Sequence, residues 1–149
     1  GVLKPQGGFS DWSHLYSATP SYIIQCDFSY MIGPDMYQQF TMDTLREDVK
    51  RLDHTICHLD GIGELKHLDL LLTLKDLNAV QWVYGAGQPG PIHWLDVYRK
   101  ILDAGKQIMI LGTAEEFLEV VDVLHGSPYV IQTFDPDQRE LMEKVLKAR

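Results

Sequence analysis

Apolar residues recur along this chain in short blocks, and each block is followed by a stretch with helical spacing. Residues 21–28 (SYIIQCDF) are apolar almost throughout and predict a buried strand. Gly33, Pro34 and Asp35 then open a helix, with Pro34 at the first helical position, where its missing N–H costs nothing. Met36, Phe40, Leu45, Val49 and Leu52 carry the helical spacing through to Leu52. The second strand is expected at 55–59 (TICHL), followed by a helix over 63–72 with Leu65, Leu68, Leu71 and Leu72 on one face. The third strand is 79–84 (AVQWVY). A Gly- and Pro-rich loop over 85–91 separates it from a helix over 93–104, which stops at Gly105, a natural residue for a left-handed cap. The fourth strand is 107–111 (QIMIL). Thr113 and Glu116 then form a capping box that starts a helix over 114–124. The fifth strand is 129–133 (YVIQT), and Asp135 with Gln138 opens a last helix that runs to about residue 148.

Strands that are apolar almost throughout are expected to be buried on both faces by helices, so the sheet is expected to be parallel. The fold class is α/β, built of five βα units. Two architectures accommodate that pattern. One is a flavodoxin-like open sheet, which matches the length. The other is part of a (β/α)8 TIM barrel, which normally needs roughly 250 residues. Residues 1–20 lack a clean period and are read as an irregular N-terminal segment, with a helical turn over 11–16; residues 21–149 form a single βα-repeat domain.

Composition narrows the function classes. The chain has 149 residues, 45% hydrophobic and 23% charged, an ordinary globular balance. Its net charge of −8 argues against nucleic-acid binding, which needs a basic surface to meet phosphates. No apolar run approaches the roughly 20 residues that span a bilayer, and no signal peptide is visible. Cys26 and Cys57 lie in strand-like runs and read as buried free thiols of a cytoplasmic protein.

Both architectures place chemistry at the C-terminal ends of the strands. Gln25 and Asp27 stand at the end of the first strand, His58 and Asp60 at the end of the second. Gln81 with Trp82 lies in the third, and Gln132 in the fifth. Residues two apart share one face of a strand, so His58 and Asp60 are expected to point together, with Cys57 and Leu59 opposite. Convergent polar groups of this kind mark a site, because a buried polar group without a partner costs about 1–3 kcal/mol. The candidate catalytic residues are therefore His58, Asp60 and Asp27, and Gln25, Gln81, Trp82 and Gln132 are the candidate substrate contacts. His58 and Asp60 are also the one pair with metal-ligand spacing, although zinc needs at least a third protein ligand. The 85–91 loop joins a strand to a helix, where an anion can be cradled or a substrate covered. His67 and Asp69 are expected on the solvent side of their helix.

In order along the chain, DFSYMIGPDM at 27–36, Phe40, HLDG at 58–61, GELKHL at 63–68, LNAVQW at 77–82 and GAGQPG at 85–90 resemble the C-terminal part of the uroporphyrinogen decarboxylase-like superfamily, in particular its cobalamin- or corrinoid-dependent methyltransferase branch. The likeness spans residues 21–148 and maps the five strands onto the fourth to eighth of that family's barrel. It implies methyl transfer with a corrinoid or a related one-carbon carrier, on a small-molecule substrate and with a corrinoid protein as partner. Zinc enzymes of that superfamily carry a His-x-Cys pair at such a strand end. Here His58 matches the histidine, but Asp60 stands in the cysteine's place and the last strand ends in QTFD, so a harder divalent metal or none suits the ligands better. Kinship also implies tetrapyrrole decarboxylation, a lyase reaction, as an alternative. The arginines that grip a polycarboxylate come mostly from N-terminal strands with no counterpart here. A third expectation is a barrel fragment without catalysis of its own, completed by a homo-oligomer or by a missing N-terminal half, since open strand edges seek partners.

Overall fold

The computed structural model describes residues 7–124, 127, 129–133 and 136–147. All five expected strands form: β3 (Ser21–Gln25), β4 (His54–Asp60), β5 (Ala79–Val83), β6 (Gln107–Leu111) and β7 (Tyr129–Gln132). They pair in parallel and in strict chain order, β3-β4-β5-β6-β7. A flavodoxin-like sheet reverses direction after its second strand, giving the order 2-1-3-4-5. No reversal occurs here, so that alternative is corrected by the strand order.

The register explains which residues are apolar. Ile24, Cys57 and Val80 align across three strands, as do Leu59, Trp82 and Ile110 further along. These residues lie on one face and join a single apolar core with Leu45, Val49, Leu71, Tyr98, Ile101, Phe117 and Val120 from the helices. Right-handed crossovers between sequential parallel strands put successive helices on the same side of a sheet, which is the side this core occupies, so the expected cover of helices on both faces is corrected to one. The opposite face carries Gln25, His58, Gln81 and Met109 in one row.

The helices are shorter than their periodicity suggests. The stretch expected to be one helix from Pro34 to Leu52 is two, α1 (Pro34–Phe40) and α2 (Met42–Arg51). Thr41 divides them with φ −112° and is buried, its hydroxyl 3.9 Å from the Cys26 Sγ. Helix α3 (Leu68–Leu72) follows a 3-10 turn over Ile62–His67, and α4 (Leu95–Asp103) follows one over Pro91–Trp94. The capping box before α5 (Ala114–Val123) forms in full: the Glu116 N–H donates to Thr113 Oγ1 at 3.3 Å and the Thr113 N–H to Glu116 Oε2 at 2.8 Å. Helix α6 (Arg139–Lys147) closes the described chain after a 3-10 turn over Pro136–Gln138; Asp135, the expected cap, lies outside the described residues.

The N-terminal segment differs from expectation. In place of a helical turn it forms a small antiparallel hairpin, β1 (Phe9–Ser10) with β2 (Tyr16–Ser17). Asp11 organises it: Oδ1 accepts from the Ser13 N–H at 2.8 Å, and Oδ2 accepts the Ile23 N–H of β3 at 2.9 Å. The segment thereby reaches the face of the sheet that the helices leave open. Among the described residues, no helix is long and apolar enough to cross a membrane.

Cys57 faces the helices and is buried, and burial pushes its thiol well above the usual range, with the nearby Glu64 carboxylate adding to the effect. A thiol held neutral and out of water does not react. At neutral pH an aromatic disulfide reagent should therefore titrate Cys26, which is half-buried, and label Cys57 on the order of a hundredfold more slowly, at the rate of unfolding. Equal rates for the two thiols would contradict the placement of Cys57.

Candidate functional site

Parallel pairing aligns Gln25 of β3 with His58 of β4, and His58 with Gln81 of β5. The three side chains stand side by side on the face away from the helices, running from the last residue of β3 to the middle of β5. Asp60 lies two residues beyond His58 on the same face. Its Oδ2 is 3.9 Å from His58 Nε2.

The state of His58 follows from its neighbours. Gln81 is fully buried; its amide nitrogen donates to Gln132 Oε1 at 3.0 Å and lies 3.5 Å from the Met109 sulfur. That orients the amide oxygen toward His58, whose Nδ1–H donates to it at 2.5 Å. The assignment is made from the network, as it must be for amides and imidazoles. With its proton on Nδ1, neutral His58 presents the lone pair of Nε2 toward Asp60. Such a nitrogen can accept a proton or bind a metal, and the carboxylate stabilises the imidazolium once formed.

The ring is covered rather than bare. Trp12 packs edge-on against it, ring centroids 5.0 Å apart, while remaining 42% exposed itself. The carbonyl of the next residue, Ser13, accepts from the Gln132 amide at 3.4 Å. The hairpin thus lies over the polar row, and Trp12 also lines a cleft of about 720 Å³ that runs along the free edge of β3 beside Gln25 and Arg51.

The expected residues divide into groups. Gln25, His58 and Asp60 are brought together, and Gln25 and Asp60 are exposed. Gln81 and Gln132 belong to the same face but are buried and bonded to one another, so their role is to hold His58 rather than to meet a substrate. Trp82 is not in the site: the odd–even alternation of β5 turns it to the helix side, where it is 0% exposed and meets Trp94 edge-on at 5.3 Å. Asp27 falls beyond the strand, exposed in the first turn of the 3-10 helix Asp27–Met31. His67, expected in solvent, is fully buried; Nε2 donates to the Ser29 carbonyl at 2.8 Å and the ring stacks on Tyr37.

Two side chains that the sequence did not mark also shape the region. Glu64 is 2% exposed and bonds the backbone of Asp60, and Ser29 bonds Glu64. A glutamate in the first turn of a helical stretch ordinarily reads as a solvated charge. The one cue was its position just after Gly61 and Gly63 and four residues after Asp60.

The metal expectation meets a limit of donors. Among the described residues no third His, Cys, Asp or Glu completes a metal-binding group around His58 and Asp60. Cys57 cannot serve, since it points into the core. A zinc site of three protein ligands therefore does not fit these residues. The anion-cradle reading of the 85–91 loop is also corrected. The Glu116 carboxylate stands against Gly90 and Gly112, held by the Thr113 N–H, and would repel an anion held by that loop.

No protein-family model, curated protein or solved structure matches this chain.

The buried amide of Gln81 carries the geometry of His58. Gln81→Leu fills the same space but leaves His58 Nδ1 and Gln132 Oε1 without their partner. It should lower stability by about 1–3 kcal/mol. Urea denaturation would measure this, and an unchanged midpoint would refute the proposed hydrogen-bond chain.

Proposed function

We propose that this chain is a five-unit arc of a (β/α)8 barrel and forms one wall of a small-molecule active site, in which His58 and Asp60 act on a methyl acceptor in a reaction with a corrinoid or related one-carbon carrier. Three features support the barrel reading. The strands run parallel in sequential order, the apolar core lies on one face of the sheet, and the exposed polar residues Gln25 and Asp60 stand at the C-terminal ends of β3 and β4. The reaction class draws on the resemblance of the 58–61, 63–68 and 77–82 segments to the uroporphyrinogen decarboxylase-like methyltransferases.

The observation that carries the site is the orientation of His58. Gln81 holds its Nδ1–H, and Nε2 faces Asp60 at 3.9 Å. In this reading Nε2 would take the proton of the acceptor's X–H group as the X–methyl bond forms and the methyl–carrier bond breaks, its electron pair staying with the carrier, and Asp60 would stabilise the imidazolium. Gln25, exposed next to His58, is placed to hydrogen-bond the substrate. Nothing favours a tetrapyrrole decarboxylase. Arg46, Arg99 and Arg139 pair with acidic residues on helix surfaces, and of these arginines and Arg51 only Arg51 reaches the cleft beside β3.

One observation favours association as a second reading. Among the described residues strand β3 is an edge of the five-stranded sheet, and Tyr22 on it and Phe28, Tyr30 and Met31 in the 3-10 helix after it are exposed. A face of that composition suits an added strand and helix, from further chain or from a second copy.

In the full-length protein, His58→Ala should reduce kcat for demethylation of methylcobalamin by a thiol about 100- to 10,000-fold, and Asp60→Asn should have a smaller effect in the same direction. Visible spectroscopy of the corrinoid reads both. Wild-type turnover by both variants would reject the site. For association, light scattering on the chain alone should show mass rising with concentration, whereas a monomer throughout would eliminate it.

A further inference from the structure

Glu64 presents a physical problem. It is almost completely buried, and a buried carboxylate is costly unless its oxygens are satisfied. An apolar residue of similar size would often be at least as stable in such a place. Here the carboxylate is met by two hydrogen-bond donors, and they come from different strand ends. Oε2 accepts the backbone N–H of Asp60, the last residue of β4, at 2.8 Å. Oε1 accepts the Ser29 hydroxyl at 2.7 Å, and Ser29 lies in the 3-10 helix that follows β3. Ser29 is held at its other end as well, because its carbonyl accepts from His67 Nε2, and His67 is stacked on Tyr37 with ring centroids 4.2 Å apart.

The surrounding backbone is shaped for this contact. Gly61, with φ +81°, turns the chain directly after Asp60 so that Glu64 can fold back onto it. At Gly63 the Tyr30 ring, again from the segment after β3, leaves no room for a side chain. The loops after β3 and β4 are therefore clamped together at a point one side chain behind the polar row.

We propose that Glu64 is a positioning residue for the His58–Asp60 site. It fixes the Asp60 backbone against the segment after β3, so that the Asp60 carboxylate stays beside His58 Nε2, 3.9 Å away, and Gln25, His58 and Asp60 form one wall. This rests on the reading of His58 and Asp60 as the site. It adds that the site's geometry is set by a carboxylate that never touches substrate.

The test is amide hydrogen exchange by NMR on the wild-type chain, Glu64→Leu and Glu64→Gln. In Glu64→Leu the Asp60 amide should lose protection about ten- to hundredfold, the range for a hydrogen bond to a charged group, while amides within β5 and β6 keep theirs. Glu64→Gln retains an acceptor and should restore Asp60 to within about threefold of wild type. In the full-length enzyme the same pair should lower and then recover kcat at unchanged KM. If Glu64→Leu does not fold, Ser29→Ala, which cuts only one arm, should give a weaker shift at the same amide. Unchanged protection of Asp60, or an equal loss across the whole sheet with no recovery by glutamine, would overturn the assignment. That failure is separable from failure of the site itself, which His58→Ala decides by turnover.

Discussion

The parallel backbone ladder from β3 to β7 is the constraint on which the rest of the molecule depends. Once five strands pair in register, the pleat assigns each side chain to one of two faces. Ile24, Cys57, Val80 and Ile108 are sent to the helices, and Gln25, His58, Gln81 and Met109 to the other side. A slip of one residue in β4 would bury His58 and Asp60 among leucines and turn Cys57 and Leu59 to the polar face. Core and site are two consequences of one register.

The polar face is stabilised in layers. Deepest is the buried amide pair Gln81–Gln132, which is satisfied by His58, Met109 and the Ser13 carbonyl. Above it His58 retains one free nitrogen and Asp60 reaches solvent. This ordering suits chemistry, because a base held by a buried, satisfied partner keeps one orientation while its reactive atom remains accessible. The N-terminal hairpin completes the layer by setting Trp12 on the ring, and Asp11 anchors it through the Ile23 N–H of the edge strand. The same carboxylate occupies a backbone donor that an open edge would otherwise offer to another strand.

Much of the architecture was legible because its signals are local. The run QIMIL at 107–111 coincides with β6, and the Thr113–Glu116 capping box starts α5 as its spacing implies. The alternation of β4 was enough to place His58 with Asp60 and Cys57 opposite. The errors arose where distant contacts overrode local pattern. The helix from Pro34 to Leu52 divides at Thr41, which is buried with its hydroxyl beside the Cys26 Sγ. His67 looked like a surface residue until the Ser29 carbonyl and the Tyr37 ring claimed it. Trp82 was grouped with Gln81 by adjacency, although neighbouring strand residues face opposite ways.

The sequence by itself determined the alternation of strands and helices, the parallel sense of the sheet, and the pairing of His58 with Asp60 on one face. Periodicity and two-residue spacing encode these within a few residues of chain. Only the tertiary structure decided the order of the strands, the covering of His58 by Trp12, and the burial of Glu64 behind Asp60. Each of those joins segments more than 20 residues apart in sequence, as when Ile56 pairs with Ala79 or Ser29 meets Glu64. Such contacts form through the packing of whole elements, and no local pattern records them.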